Sequence, residues 1–412
     1  MKILHINTAQ HGGAALCAIR INKALKSAGV DTKMLFAEGD GLPQDVEGAI
    51  ACKDHKTWQS VPFVSHLFSW LQYHSPFIKN VHRLQYLVDQ ANTDHLYLHI
   101  PLSQYENIVN HPLVDWADII HLHWVSGFVD YPSFFRKIKK PIVWTLHDKY
   151  PAVGLQHYSS EFFPVPKQLK TLDDYCRRIK RESVAQSSNL NLVAISEKMV
   201  DICNHSDVLK GFPVTVIHNG VDVDTFKKYD KEKARKELGL IPESKIFLFS
   251  GYNIHDPNKG LNRVIEALER INVPNKILVC IGMSNMPMPD ASFPIILTGL
   301  IGSQVKISKY YSAADLFIQS SYEETFSQTC LEAVACGTPV VAFPFCGAHD
   351  IINEINGIIC DDFSVDALAK GITQVMGRTY HSESICEDAI QRFSYDIIAQ
   401  QYMDLYKTIL KS

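Results

Sequence analysis

The sequence predicts an α/β protein made of two doubly wound domains, each a parallel sheet covered by helices on both faces. Short, almost continuously apolar runs alternate with longer amphipathic ones, and this alternation occurs twice along the 412 residues. Composition also differs between the halves, because residues 1–210 hold 14 of the 18 histidines. The same residues carry a formal charge of +2, from 22 Lys and Arg against 20 Asp and Glu. The remainder carries −6, from 18 Lys and Arg against 24 Asp and Glu. Ligands of such domains bind at the carboxyl ends of the strands, so the predicted site is a central cleft between two facing domains.

Ten apolar runs are predicted to be buried strands, five in each half. They are KILHI, TKMLFA, ADIIHLHW, PIVWTL and LNLVAI, then KIFLFSG, KILVCIG, FPIILTG, ADLFIQS and PVVAF. Amphipathic patterns predict helices over 14–29, 260–271 and 393–410. The charged segment 226–244 has no strand character and marks the join. The predicted domains are therefore 1–225 and 226–394, and we expect a C-terminal helix over 395–412 to pack back on the first domain.

Composition excludes several classes of protein. A chain with 46% hydrophobic and 20% charged residues is typical of a globular protein, and without an 18-residue apolar run no spanning helix is expected. The opening MKILHINTAQHGG predicts a first strand and no signal peptide. A net charge of −4 argues against nucleic-acid binding driven by bulk charge. The ten cysteines form no C-x-x-C pair, which favours a reducing cytoplasm.

Two acids, Glu324 and Glu332, lie eight residues apart within SSYEETFSQTCLEAVACGTPVVAF. On one helix they would point about 80° apart, so a shared helical face is a poor explanation. Ser327 is a predicted N-cap and Gly337 a predicted C′ residue, which puts Glu324 in a loop and Glu332 inside the helix. A helix start binds phosphate, and the flanking acids could then accept hydrogen bonds from a ribose and from a sugar. The alternative is an ordinary βαβ unit with two solvated glutamates.

Six short motifs occur in the order and spacing of a known family, and with them the chain resembles family 4 retaining glycosyltransferases of the GT-B fold, especially those of bacterial surface-polysaccharide clusters. The motifs are GGAA (12–15), DIIHLHW (118–124), VWTLHD (143–148), NGVD (219–222), NKG (258–260) and EETFSQTCLEAVACGTPVVA (323–342). The resemblance covers nearly the whole chain and is weakest over 41–116. It implies two Rossmann-like domains that face a central cleft.

For the second domain, the resemblance implies that Glu332 binds the donor ribose and Glu324 the hydroxyls of the donor sugar. Lys259 neutralises the diphosphate as the leaving group departs. Other donor contacts are implied for the backbone N–H groups of Phe326 and Ser327 and for Gly299, where the backbone approaches the base.

Asn253 stands near the place where the family has an arginine, so one donor cation is unassigned. Arg263 is a candidate substitute, although its place in the predicted helix 260–271 argues against it.

For the first domain, the resemblance implies that Gly12 and Gly13 form a turn near the diphosphate and that His147 touches and positions the sugar. A tight turn, and packing or capping, are the corresponding structural interpretations. His123 has two interpretations, core packing or a direct role in the site. The sequence DVD at 222–224 continues the family turn, and the class generally needs no bound divalent cation, so no metal site is predicted.

The implied function is transfer of a sugar, a hexose in the first instance, from a nucleotide-diphosphate sugar of UDP or GDP type to a glycan or lipid-linked acceptor in polysaccharide biosynthesis. Retention in this class is attributed to front-face attack, which makes Glu324 a positioning group and not a nucleophile. Three alternatives stay open: a non-catalytic nucleotide-sugar binding protein, a GT-B epimerase or phosphorylase, and a nicotinamide dehydrogenase, which the absence of G-x-G-x-x-G disfavours.

Contact with an anionic membrane is a further expectation, which would put this cytoplasmic enzyme at the inner face of the cell membrane. The aromatic segment 61–84 could lie at the interface, and the basic segments 134–140 and 167–182 could meet lipid head groups. The alternative is that the aromatic residues are core and the charges a solvated face.

Overall fold

The computed structural model describes residues 1–37, 48–52, 76–91, 97–103, 105–158 and 161–411. The chain forms two compact units, one of Met1–Ile217 with Ala399–Ser412 and the other of His218–Ile398. The first unit ends eight residues before the boundary predicted at 225, because the segment after Ile217 pairs within the second unit, where Val221 forms a parallel bridge with Ser394.

Within the described residues, the first unit contains a seven-stranded parallel sheet in the order β3-β2-β1-β4-β5-β6-β7. The order changes direction between β1 and β4, the position at which doubly wound sheets bind ligands. The strands are β1 (Lys2–Asn7), β2 (Asp31–Phe36), β3 (Ala49–Ala51), β4 (Ile119–Leu122), β5 (Ile142–Leu146), β6 (Leu190–Ala194) and β7 (Val214–Val216).

Helices follow the strands of the first unit in sequence. They span Gly13–Ser27, Pro76–Ala91, Pro112–Trp116, Tyr131–Lys137, Lys170–Val184 and Glu197–His205. Of the aromatic segment 61–84, residues 61–75 lie outside the described residues, and the rest belongs to the helix Pro76–Ala91. No helix within the described residues is long and apolar enough to cross a membrane.

The second unit, as described, contains a six-stranded parallel sheet in the order β10-β9-β8-β11-β12-β13. Its strands are β8 (Lys245–Asn253), β9 (Lys276–Met283), β10 (Ile295–Leu297), β11 (Leu316–Gln319), β12 (Val340–Ala342) and β13 (Gly357–Ile359). Its helices span Lys231–Leu238, Leu261–Glu269, Gln304–Ala313, Gln328–Ala335, Ala348–Ile351, Val365–Met376 and Ser382–Phe393.

The ten predicted strands are all present, because runs that are apolar on both faces are stable only between two layers of helices. In β5 every residue from Ile142 to Leu146 is buried. The predicted α/β class with two doubly wound sheets is confirmed. Three strands of three residues each, β3, β7 and β13, were not predicted, whereas β10 and β12, of the same length, were found within the longer apolar runs FPIILTG and PVVAF.

The end of the chain differs from the single helix predicted over 393–410. Phe393 closes one helix, and a separate helix, Tyr395–Lys411, follows after Ser394. From Ala399 onward this last helix belongs to the first unit. There the hydroxyl of Tyr406 lies 2.7 Å from Nδ1 of His121, and that of Tyr402 lies 2.9 Å from Oγ1 of Thr145. These buried hydrogen bonds attach the C-terminal residues to β4 and β5.

Replacing Tyr406 with Phe removes one of these bonds and leaves Nδ1 of His121 without its partner. We expect the free energy of unfolding of the first unit to fall by about 1–3 kcal/mol, the cost of an unsatisfied buried polar atom. Tyr86→Phe is the matched control, because Tyr86 is 62% exposed. Thermal unfolding of both variants measures the effect, and equal transitions for Tyr406→Phe and wild type would contradict the assignment.

Candidate functional site

The loop that carries Glu324 connects β11 to the helix Gln328–Ala335. Ser327 is the N-cap, as predicted, with its Oγ accepting from the N–H of Cys330 at 3.3 Å. The amide of Gln319, the last residue of β11, donates to the same Oγ at 2.7 Å, while its Oε1 accepts from Oγ of Ser321 at 2.8 Å. The buried Gln319 side chain therefore holds both ends of the loop, and the helix begins at a defined place.

Glu324 pairs with Lys259, which the sequence placed in a different loop 65 residues earlier. Nζ of Lys259 donates to Oε1 of Glu324, and the two side chains are 27% and 18% exposed. Oγ of Ser321 lies 3.3 Å from the same oxygen, although its proton points to the nearer Oε1 of Gln319. Burial lowers the pKa of Lys259, but the neighbouring Glu324 carboxylate outweighs it and leaves that pKa raised. The two predicted catalytic residues of this unit thus form a partly buried ion pair.

Asn258 locks the two loops together, a role that the sequence did not reveal. Its amide donates to the carbonyl of Glu323 at 2.9 Å and its Oδ1 accepts from the N–H of Glu323 at 2.8 Å. Oγ of Ser320 adds a bond to the carbonyl of Lys259 at 2.7 Å. Asn258 is 2% exposed. It stands in the quoted motif NKG, but its partner is known only from the tertiary structure.

Arg263 does not act as a free cation in this structure. Its Nη2 donates to the carbonyls of Asn258 and Ser320, both at 2.9 Å, and its guanidinium lies 3.6 Å from the ring centroid of Tyr322. It therefore stabilises the same two loops by hydrogen bonds to their backbone. Asn253, at the end of β8, caps its own turn through Oδ1, which accepts from the N–H of His255 at 3.0 Å. The structure thus gives both residues loop-stabilising contacts.

The remaining residues predicted for the donor site of this unit lie as follows. Glu332 is buried, and the hydroxyl of Tyr311 donates to its Oε2 at 3.3 Å. Phe326 is also buried, with its ring stacked on that of His218 at 5.4 Å between centroids. Gly299 has a φ of 71°, and apart from its chain neighbours no atom of the described residues lies within 4 Å of the position that a Cβ would take. Glu332 is thus not one of two solvated glutamates.

In the first unit, Gly12 and Gly13 form the start of the helix Gly13–Ser27, as predicted. Gly12 is the N-cap with a φ of 95°, a backbone conformation that favours glycine, and it supplies no side-chain cap. Apart from the neighbouring backbone, no atom in the part of the chain that the structure describes lies within 4 Å of the Cβ position of either glycine. The first N–H groups of this helix are therefore not covered by a capping side chain.

His147 follows β5 and lies beside His123, which follows β4. Nε2 of His147 is 3.0 Å from Nδ1 of His123, and Nε2 of His123 is 2.8 Å from Nδ1 of His5. Nδ1 of His147 is buried and has no hydrogen-bond partner among the described residues. His123 is 2% exposed, so its direct contacts are with the two other imidazoles. His5 was not singled out by the sequence, where it appeared only as an interruption of an apolar strand.

Asp148, next to His147, is held as an anion. Its Oδ2 accepts from Nδ1 of His157 at 2.6 Å and from Nε1 of Trp124 at 2.9 Å, and its Oδ1 accepts from the N–H of Tyr150 at 3.0 Å. Burial raises its pKa, but the charge and hydrogen bond of His157 and the hydrogen bond from the N–H of Tyr150 outweigh burial and leave the pKa lowered. A fixed negative charge therefore lies beside His147.

Three buried imidazoles, those of His5, His121 and His123, each offer a nitrogen atom within 4.8 Å of the others. Two nitrogen ligands of one tetrahedral zinc ion lie about 3.3 Å apart, given bonds near 2.0 Å. The 2.8 Å between His5 and His123 is instead a hydrogen-bond distance, and both nitrogens of His121 contact hydroxyl groups, those of Thr145 and Tyr406. The group is therefore a hydrogen-bonded cluster, and holding an ion would require these bonds to break.

Two sequence-family profiles together span most of the chain. Glycosyltransferase Family 4 matches residues 11–225, more than half of the chain, and Glycosyl transferases group 1 matches residues 230–392. The chain belongs to glycosyltransferase family 4. The predicted family is thereby confirmed, and the protein is a glycosyltransferase.

Three similar proteins illustrate the family. An uncharacterised glycosyltransferase of Methanocaldococcus jannaschii is 27% identical over 319 residues, 72% of this chain and 77% of that protein. D-inositol 3-phosphate glycosyltransferase of Xylanimonas cellulosilytica is 26% identical over 320 residues, 72% of this chain and 73% of that protein. The crystal structure of Anabaena HepE with UDP and glucose superimposes with a TM-score of 0.64 at 19% identity, covering 99% of this chain and all of HepE. At that identity HepE supports the GT-B fold alone.

Replacing Asn258 with Ala should destabilise the second unit. Two hydrogen bonds are lost and the buried peptide groups of Glu323 are left unpaired, which costs about 2–3 kcal/mol in the free energy of unfolding. Asn272→Ala, at an exposed position of the same unit, is the control. Thermal unfolding compares the variants, and hydrogen exchange at the Glu323 amide locates the change. An unaltered exchange rate at Glu323 would refute the role given to Asn258.

The first unit should lose stability as the pH falls below about 6.5, the pKa of an unfolded histidine. Burial lowers the pKa of His5 to about 3 and that of His147 to about 4. Between these values and 6.5, the unfolded chain binds protons that the folded chain does not. Each such histidine then costs up to about 1.4 kcal/mol per pH unit. Thermal unfolding at pH 7.5, 6 and 5 measures the slope, and a pH-independent transition for the first unit would be inconsistent with neutral buried imidazoles.

Proposed function

We propose that the protein is a retaining glycosyltransferase that moves a sugar from a nucleotide-diphosphate sugar to a glycan or lipid-linked acceptor in polysaccharide biosynthesis. The observation that carries the proposal is the Lys259–Glu324 pair, held beside the capped start of the helix Gln328–Ala335. A cation, a carboxylate and the N–H groups of a helix start together match a diphosphate that bears a hydroxylated sugar. HepE, which shares the fold, was crystallised with UDP and glucose, and this supports a donor of UDP type.

In this proposal the second unit binds the donor. The diphosphate meets the N–H groups at Phe326 and Ser327, and Lys259 leaves Glu324 to neutralise the charge that develops on the departing diphosphate. Glu324 then accepts hydrogen bonds from the sugar and Glu332 from the ribose. Because the pair already lies in place, little side-chain ordering is needed when the donor arrives. Gly299 leaves room for the base.

The first unit takes the acceptor-side role. His147 contacts the transferred sugar, and Gly12 and Gly13 present helical N–H groups to the diphosphate. Acceptor attack on the face from which the diphosphate leaves retains the anomeric configuration, so Glu324 positions the sugar and forms no covalent bond. The chemistry derives from alignment and from charge stabilisation. Proton NMR of the product formed from an α-linked donor tests whether the anomeric configuration is retained, and a β-linked product would exclude retention.

A lipid-linked acceptor is supported by a cavity of about 940 Å³ in the first unit. Apolar side chains of the helices Pro76–Ala91 and Lys170–Val184 line it, among them Leu84, Leu87 and Leu172. The basic residues on the second of these helices could meet anionic head groups. Sedimentation with vesicles of anionic lipid at low salt tests the membrane contact, and no binding would remove the membrane from the proposal.

The donor is identified by calorimetry of the whole protein against UDP, GDP, ADP and their sugars. Binding of one nucleotide in preference to the others supports the proposal and names the base. If none of these nucleotides binds, the donor-site assignment fails. Turnover of a bound nucleotide sugar distinguishes an enzyme from a non-catalytic binding protein.

Glu332→Ala should weaken binding of UDP, or whichever nucleotide diphosphate the screen identifies, by about tenfold. The loss corresponds to the 1.5–3 kcal/mol of a hydrogen bond to a charged group. The 2′-deoxynucleotide distinguishes ribose contact from general disruption, since wild type should bind it more weakly while Glu332→Ala should bind both forms alike. Glu354→Ala, at an exposed position of this unit, is the control. If Glu332→Ala still discriminates between the two nucleotides, Glu332 does not bind the ribose.

Glu324→Gln should lower kcat/KM for transfer by about two orders of magnitude, since the change keeps the size of the side chain but removes its charge and its hold on Lys259. Affinity for the nucleotide diphosphate without its sugar should change far less. Steady-state kinetics and calorimetry measure the two quantities. Full transfer activity in Glu324→Gln would contradict the role given to this carboxylate.

A further inference from the structure

A continuous chain of three imidazoles crosses three adjacent strands of the first sheet and ends at His147. His5 lies within β1, His123 directly after β4 and His147 directly after β5. The nitrogen-to-nitrogen distances are 2.8 Å from His5 to His123 and 3.0 Å from His123 to His147. At both ends a buried nitrogen has no hydrogen-bond partner among the described residues, Nε2 of His5 and Nδ1 of His147.

Burial fixes the number of N–H protons on these three imidazole rings. Desolvation lowers the pKa of His5 to about 3, that of His147 to about 4 and that of His123 well below the usual value, so all three rings are neutral. Each neutral ring carries one N–H proton, and each N···N hydrogen bond contains one of these protons. Two of the three protons therefore lie within the two contacts, and the third is on one of the terminal nitrogens.

Only two arrangements satisfy this count. In the first, every ring is protonated on Nδ1: His5 donates to His123, His123 donates to His147, and Nδ1 of His147 presents an N–H group. In the second, every ring is protonated on Nε2 and the direction of donation is reversed, so that His147 presents a bare nitrogen. Since His123 has a single proton, no mixed arrangement keeps both hydrogen bonds. The three rings can change tautomer only together.

One feature of the surroundings favours the first arrangement. The carboxylate of Asp148, held as an anion, follows His147 directly in the chain and attracts the third proton to that end. The buried terminal nitrogens of His5 and His147 both lack an acceptor among the described residues, so this term is the same for the two arrangements.

We propose that His5 and His123 are positioning residues that fix His147 as a hydrogen-bond donor through Nδ1, and that the three rings form one tautomeric unit. Given the proposed function, this donor is directed at an oxygen of the nucleotide sugar, since phosphate oxygens can only accept and a sugar hydroxyl can accept as well. In this row of imidazoles His5 acquires a function, although it lies two hydrogen bonds away from the nitrogen that meets the ligand.

His121 does not belong to this tautomeric unit, although its ring centroid is 4.2 Å from that of His123. Its Nε2 lies 2.7 Å from Oγ1 of Thr145 and its Nδ1 lies 2.7 Å from the hydroxyl of Tyr406. Hydroxyl groups can donate or accept, so they impose no tautomer on His121.

The test is nitrogen-15 NMR of the full-length protein labelled in its histidine rings, with the tautomer of each ring assigned from single-residue variants. We expect His5, His123 and His147 all to be protonated on Nδ1 and bare on Nε2 in the ligand-free protein. A ring of this chain protonated on Nε2 would overturn the proposal. Because no ligand is needed, this result is independent of whether the proposed function is correct.

Variants of His5 test the coupling. The side-chain amide of His5→Asn can still donate from the place of Nδ1, whereas His5→Leu cannot, so His5→Asn should keep His123 and His147 protonated on Nδ1 and His5→Leu should not. His205→Asn, at an exposed position, is the control. Thermal unfolding confirms that each variant is folded, and should His5→Leu fail to fold, the wild-type tautomers and His5→Asn still decide. Retention of the Nδ1 tautomer of His147 in folded His5→Leu would refute the positioning role.

Binding separates this inference from the proposed function. Calorimetry with UDP establishes whether the wild-type protein binds that nucleotide. If it does not, a donor of UDP type is excluded while the tautomer measurement still stands. Where a nucleotide sugar is turned over, His5→Leu should lower kcat several-fold with His5→Asn restoring it. Equal rates for the two folded variants would show that His5 does not act through His147.

Discussion

The two-way hydrogen bond between the Asn258 amide and the peptide groups of Glu323 is the contact on which the candidate site depends. Parallel strands bring their carboxyl ends to one edge of a sheet, but that places two loops only near each other. The Asn258 amide joins these loops at 2.8 and 2.9 Å, and Ser320 and Arg263 hold the same backbone. Lys259 and Glu324 can then meet through side chains that have little freedom.

The ion pair itself has a modest share in stability. Both side chains are partly exposed, and pairs of this kind contribute about 0–1 kcal/mol. Its value is in orientation, because an ammonium and a carboxylate are held at a defined place beside the helix start. In the proposed function, a diphosphate sugar offers each of them a partner of opposite character, so the contact that is broken on binding is replaced by two others.

The first unit presents a different kind of chemistry. The imidazoles of His5, His123 and His147 are neutral, so His147 can offer direction and hydrogen bonding but no positive charge. The charge beside it is the anion Asp148, held by His157, Trp124 and Tyr150. A transferred sugar is neutral and its hydroxyl groups need oriented partners, which suits an uncharged imidazole. The cation Lys259 belongs to the second unit, where the diphosphate is proposed to bind.

The sequence by itself determined the α/β class, ten of the thirteen described strands, the helix start at Ser327 and the loop position of Glu324. These features depend on apolar runs and on capping residues, which are local along the chain. The six ordered motifs also indicated the family. The three-residue edge strands β3, β7 and β13 were not predicted, since so short a segment carries no periodicity of its own; β10 is as short but lies in the apolar run FPIILTG.

Only the tertiary structure decided which residues share a site. It joined Asn258 to Glu323 and Lys259 to Glu324, each 65 residues apart, and it ordered His5, His123 and His147 across three strands. It also showed that Arg263 braces two loops and that Asn253 caps a turn. A side chain such as that of His5 gives no local signal, because its role is set by partners more than 100 residues away that the sheet brings within hydrogen-bond distance.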